Sequence, residues 1–303
     1  MKLLVINNMS SGYGDGAIYD FMRHFEQDGD ELVLRSTSGQ TDIRTLLYDA
    51  HTFDAVVASG GDGTVTTVAY ALAHSGVPIL PFPAGTANLL ALNMLSPNEP
   101  HALAKLVREG KTLDFDIAEL NIDGNTYGFG NIAGAGWDAT IMKAALSSKR
   151  ILGPGAYFAA ALENPRPELS HFTITLDDTV IERDGLAVLI INFSKIQFDI
   201  SLVANNRPRD GWLDVVVLKA DNALKLIPAL KDAILNQNGH YSTRSDIMEV
   251  HRAKHVSVVS DPPAEIQYDG EVTNIARPFS ARILPHAARF IISDEGYSMY
   301  EKE

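Results

Sequence analysis

Hydrophobic positions fall into two rhythms along this chain. Up to about residue 110, short continuous apolar runs alternate with segments that are apolar at every third or fourth position. The runs "LLVIN" (3–7), "ELVLRS" (31–36), "DAVVAS" (54–59) and "PILPF" (78–82) predict strands. Between them Ile18, Phe21, Met22 and Phe25 line one face of a helix. Thr41 is placed to cap a second helix through Leu46 and Leu47, and "VTTVAYALAHS" predicts a third. Strands apolar throughout are buried on both faces, so this half predicts a parallel sheet with helices on either side.

Beyond residue 111 the rhythm shortens to alternation. "TLDFDIAELNIDGNTYGFGN" (112–131) alternates about Asp123-Gly124, a hairpin signature. Further strands are predicted at 171–176, 179–184, 186–193, 213–219, 255–260, 264–268 and 279–284, with helices at 137–147 and 222–236. The pattern predicts an α/β protein: a Rossmann-like parallel sheet, then a mainly antiparallel β-sandwich. The expected division is 1–120 and 121–303, with the final residues packing back on the first part.

Composition narrows this picture. The chain has 303 residues, 46% of them hydrophobic and 21% charged, which is the profile of a folded protein. It has no cysteine, which excludes disulfides, thiol catalysis and thiolate metal sites. A formal charge of −13 disfavours nucleic acid and general attraction to anionic lipid. Transient peripheral contact with a membrane would need a local basic or apolar patch. The N-terminal apolar run, Leu3 to Ile6, is too short for a signal peptide, and a cytoplasmic protein is expected.

Candidate chemistry sits where strands end. "ASGGDGT" (58–64) closes one strand and opens a helix, so its N–H groups and the helix dipole form an anion site. Asp62 would repel phosphate unless a divalent cation lies between them, and Mg²⁺ with a nucleotide meets that need. "PFPAGTANLLALNML" (81–95) again ends a strand, turns at Gly85 and brings Thr86 and Asn88 to a helix head. "NNMSSGYG" (7–14) is a third glycine-bearing loop at the same sheet edge. Taken alone, the Asp-Gly pairs at 123, 210 and 269 are hairpin turns more often than catalytic groups.

These motifs, in order, resemble the diacylglycerol kinase catalytic-domain family, which includes sphingosine kinases and bacterial soluble lipid kinases. "GGDGT" (60–64) and "PAGTAN" (83–88) match its two nucleotide motifs. "FGNIAGAGWDA" (129–139), "DGWLDVVVL" (210–218) and "YDGE" (268–271) are similar to its later blocks. Two departures stand out. Met9 occupies a usual proline position, and "NFSKIQFDISLVANNRPRD" (192–210) lacks the family's glycine cluster.

The resemblance implies a lipid kinase that transfers the γ-phosphoryl of ATP, with Mg²⁺, to a lipid alcohol such as diacylglycerol. It implies nucleotide contacts from Asn8, Ser11, Gly12, Thr37, Gly60, Gly61, Asp62, Gly63, Thr64, Gly85, Thr86 and Asn88. Asp269 is implied as general base, Asp62 as the residue acting on the cation, and Glu271 as support for either. Asp210, with carbonyls of Arg207 and Trp212, is implied to hold a structural Mg²⁺. Two alternatives stay open: an NAD kinase-like enzyme, and a nucleotide-sensing protein of the same fold without catalysis.

Overall fold

The computed structural model describes residues 1–11, 16–136, 169–195, 201–219 and 247–302. The helices expected at 137–147 and 222–236 lie outside the described residues, as does Gly12. The N-terminal half is built on β1 (Lys2–Asn8), whose Leu3 to Ile6 are completely buried. It pairs in parallel with β2 (Glu31–Thr37) and β3 (Ala55–Gly60), and β3 pairs in parallel with β4 (Ile79–Pro83).

The continuous apolar run of β1 has a simple cause. Leu3 and Val5 face a layer with Phe21 and Phe25 of α1 (Ala17–Phe25). Leu4 and Ile6 face another, with Val65 and Val68 of α2 (Asp62–Ala71). Two further helices follow, α3 (Leu89–Asn93) and α4 (Pro100–Glu109). The helix expected from Thr41 is instead a short 3₁₀ segment, Ile43–Leu47, and Asp42 rather than Thr41 caps it, its carboxylate accepting from Arg44 N–H at 3.0 Å.

The second half is a sandwich. One layer contains β5 (Thr112–Ile122), β6 (Asn125–Phe129), β8 (Ser170–Leu176), β9 (Thr179–Gly185), β13 (His255–Asp261) and β16 (Phe279–Ile291). The other runs β12-β11-β10-β7-β14-β15. Its members are β7 (Ile132–Gly136), β10 (Ala187–Ile191), β11 (Leu213–Leu218), β12 (Met248–Ala253), β14 (Ile266–Tyr268) and β15 (Glu271–Val272). Phe129, Phe172, Ile190 and Ile266 fill the space between the layers.

No break in the sheet marks residue 120. β5 runs on to Ile122, and β16 belongs to both halves. Its Phe290 pairs with Ile79 of β4, while its earlier residues pair with β13 and β5. Only 279–284 of this strand is legible from alternation, because its register shifts between Leu284 and Ala288. The buried Asp116 carboxylate supports the irregularity, accepting from His286 N–H and Gly211 N–H at 2.7 Å each. The last helix, α5 (Asp294–Tyr300), returns to the first half, and Tyr300 packs among Phe115, Phe193 and Met94.

Candidate active site

Three loops meet at the carboxyl ends of β1, β3 and β4. Asn8 Nδ2 donates to Thr64 Oγ1 at 3.0 Å, and Gly61 N–H donates to Ser11 Oγ at 3.3 Å. Gly85 lies so close to Gly61 that a Cβ there would stand 2.3 Å from the Gly61 Cα. Asn88 closes its own loop, accepting from Gly85 N–H and donating to the Gly85 carbonyl. It does so in the left-handed conformation just before α3, whereas Thr86 is exposed in the turn. At the head of α2 the N–H groups of Asp62 and Gly63 have no intrahelical acceptor. A cavity of about 220 Å³ opens beside these loops, with Asn7, Ser59 and Ser11 on its polar side and Met9, Ile18 and Tyr19 on its apolar side.

Thr37 adjoins this meeting through its main chain, as the register partner of Asn8. It is buried at the end of β2, and its hydroxyl serves its own loop by accepting from Gly39 N–H at 3.1 Å. Met9 has a use that proline lacks: its N–H donates to the Thr37 carbonyl at 2.8 Å.

Two carboxylates face α2 from the sandwich, and their roles differ. Asp269, in the left-handed region with φ 45°, is half-buried between the sandwich and α2. Its Oδ2 accepts from Thr66 Oγ1 and Gly130 N–H at 2.8 Å each. Its Oδ1 accepts from Asn131 N–H at 2.8 Å and Ile132 N–H at 3.2 Å. A carboxylate offers about four lone-pair sites, so this one is saturated. Burial pushes Asp269 up, while the four donors hold its charged form.

Glu271 is the opposite case. Its Oε1 would stand 2.7 Å from a Cβ on Gly63, so it lies against the head of α2. Among the described residues it accepts no hydrogen bond. Desolvation of its carboxyl, and then the Asp269 charge, push Glu271 above the ordinary range. Asp62 is buried beside them. Burial is the main cause that pushes it up, although its Oδ1 accepts from Leu90 N–H at 2.9 Å and so caps α3 from outside. Among the described residues no three acidic or histidine side chains cluster as a metal site.

The profile of the diacylglycerol kinase catalytic domain matches residues 2–120, and that of the YegS C-terminal NAD kinase β-sandwich-like domain matches 131–292. The chain belongs to the diacylglycerol kinase family. It is 28% identical over 295 residues to a diacylglycerol kinase of Mycobacterium tuberculosis, covering 91% of this chain and 95% of that one. A Stenotrophomonas maltophilia protein named "probable lipid kinase YegS-like" is 27% identical over 299 residues, covering 94% of each. The chain spans about half (53%) of an uncharacterized Synechocystis protein, with 28% identity over 239 residues and 76% of this chain covered. In fold it resembles a diacylglycerol kinase of Bacillus anthracis, with TM-score 0.71 and 21% identity over 97% of each chain. It also resembles an ATP-bound NAD kinase of Archaeoglobus fulgidus, with TM-score 0.56 and 13% identity over 100% of this chain and 98% of that one.

In this member of the diacylglycerol kinase family, Asp210 is already engaged. Its Oδ1 accepts from Trp212 N–H at 3.1 Å, its Oδ2 is bonded by the Arg252 guanidinium, and its own N–H points to the Arg207 carbonyl at 3.4 Å. Each carboxylate oxygen thus has one donor, and one of the two donors is a cationic guanidinium, so a structural cation fits poorly here. The stretch lacking glycine is tied by Asn206, which donates to the Asn192 carbonyl at 2.9 Å and accepts from Ser194 N–H at 3.0 Å. Sequence reasoning missed Thr66, Asp116 and Arg252. The motif signal covers loops, and these residues act from within elements whose partners are far away in the chain.

Proposed function

We propose that the protein is an ATP-dependent lipid kinase in which Glu271 receives the acceptor's proton and Asp269 positions the site. The observation that carries this reading is the contrast between a saturated Asp269 and a Glu271 that faces the head of α2 with its oxygens unengaged. A general base needs an open lone pair within reach of the hydroxyl. Phosphates would lie on the N–H groups of Asp62 and Gly63, and on that of Gly61 where they replace Ser11 Oγ, with part of the nucleotide in the neighbouring cavity. Asp62 is the residue to hold Mg²⁺, which would neutralise charge on the phosphates. The acceptor oxygen forms a bond to the γ-phosphorus while the bond from phosphorus to the β–γ bridging oxygen breaks. The proton passes to Glu271, and no covalent enzyme intermediate is needed.

The test is a radiolabelled ATP assay on diacylglycerol micelles, with other lipid alcohols and NAD in parallel. Glu271→Gln is expected to lower kcat by about 10²–10⁴-fold and to leave the ATP Kd and the melting temperature unchanged. The acid limb of the wild-type pH profile, which reports a carboxylate above its ordinary range, should vanish with it. Asp269→Asn is expected to lose stability as well as rate, because an amide nitrogen would confront donors that now bond to a carboxylate. Wild-type turnover in Glu271→Gln would move the base elsewhere. ATP binding without turnover on any lipid alcohol would favour the sensor, and phosphorylation of NAD alone would favour the NAD kinase.

A further inference from the structure

We propose that Arg252 takes the place of the divalent cation at the loop that precedes β11. The loop runs from Asn206 to Trp212 and ties the start of β11 to β5 and α5. Its Gly211 N–H reaches Asp116 at 2.7 Å, and its Pro208 carbonyl accepts from Asp116 N–H at 3.0 Å. Its Arg209 bonds the Asp114 carbonyl at 2.7 Å and the Tyr300 carbonyl at 2.5 Å. Order in this loop therefore fixes how β11 of one sandwich layer meets β5 of the other and the last helix, α5.

Two carboxylates lie on its sandwich side, Asp210 and the buried Asp214, and such a pair needs a compensating charge. Arg252 supplies it. Asp214 and Arg252 are register partners across β11 and β12. The Arg252 guanidinium bonds Asp210 Oδ2, approaches Asp214 Oδ1 at 3.4 Å and lies over the Trp212 ring at 5.6 Å. A planar guanidinium has several donors in a fixed fork, so one group bridges both acids while its face stacks on the indole. A divalent cation at the same carboxylate would stand beside this fixed positive charge and be repelled by it. The loop is thus held by a covalently attached charge, and its order does not depend on Mg²⁺. This inference is independent of the proton-acceptor assignment, since its test uses neither nucleotide nor lipid.

Thermal unfolding of the full, nucleotide-free chain in EDTA and in millimolar MgCl₂ decides it. The variants are Arg252→Met, Asp210→Ala and the two combined. The wild type should show no Asp210-dependent response to Mg²⁺. Arg252→Met keeps the packing stem without the charge, so it should melt lower in EDTA. Mg²⁺ should then raise it, by about 2–4 °C for a modest site in a chain of this size. That gain should disappear in the combined variant. Where Arg252→Met does not fold in EDTA, its refolding yield with and without Mg²⁺ reads the same rescue. The proposal is overturned if Mg²⁺ stabilises the wild type and Asp210→Ala abolishes the effect. It is equally overturned if Arg252→Met gains nothing from Mg²⁺.

Discussion

At the scale of single residues, two glycines at the nucleotide loops separate function from fold. Gly61 has φ −80°, and a Cβ on it would meet only the Gly85 Cα at 3.6 Å, an ordinary contact. Gly61→Ala should therefore melt with the wild type. If Gly61 lies against phosphate, the added methyl fills the ligand's space and ATP affinity falls, as calorimetry can measure. Gly85→Ala is the contrasting case, since its Cβ would stand 2.3 Å from the Gly61 backbone. It should destabilise the fold by at least the ~1–3 kcal/mol typical of overpacking. Equal melting temperatures for the two variants would show that the loops are not packed main chain to main chain.

At the scale of elements, the open edge of the sandwich is closed by one glutamate. β9 and β12 are edge strands of opposite layers, and Glu249 of β12 takes a two-pronged bond from Arg183 of β9, at 2.8 Å for each prong. His251 and Lys219 approach the same carboxylate at 2.7 and 3.3 Å. The Arg183 guanidinium, and then its other partners, hold Glu249 down to about 2 from an ordinary 4.5. A folded-state pKa below the unfolded one gives stability that is fully present above pH 4.5 and is lost as pH falls toward 2. Glu249→Gln should lower stability at pH 7 and flatten denaturant midpoints across that acid window. A slope as steep as the wild type's would place the acid sensitivity in other carboxylates.

At the scale of the whole molecule, β16 and α5 tie the two halves together, so they should unfold as one cooperative unit. β16 pairs with β4 of the parallel sheet and with β5 and β13 of the sandwich. Tyr300, near the chain's end, packs its ring against Phe115 at 5.3 Å and bonds the Asn93 carbonyl at 2.8 Å. Tyr300→Ala should cost about 3–5 kcal/mol, as loss of a buried aromatic does. Calorimetry should show a single transition moved to lower temperature. A separate early transition for the N-terminal half would mean that the shared strand does not couple them.

The sequence by itself determined the strands of the parallel sheet, because residues buried on both faces must be apolar without interruption. It also determined the glycine loops at their ends, since turns of that kind admit few other residues, and the family, through motifs kept in order. β12 escaped it: in "MEVHRA" (248–253) the alternation covers only four residues and breaks at Arg252, because the edge position favours charges that find partners across the sandwich. Tertiary structure alone decided that Asp269 is saturated and Glu271 open, and that Arg252 neutralises Asp210. Each depends on donors brought from distant positions, such as Thr66 to Asp269 across 203 residues. A local pattern carries no record of which groups the fold will bring within 3 Å.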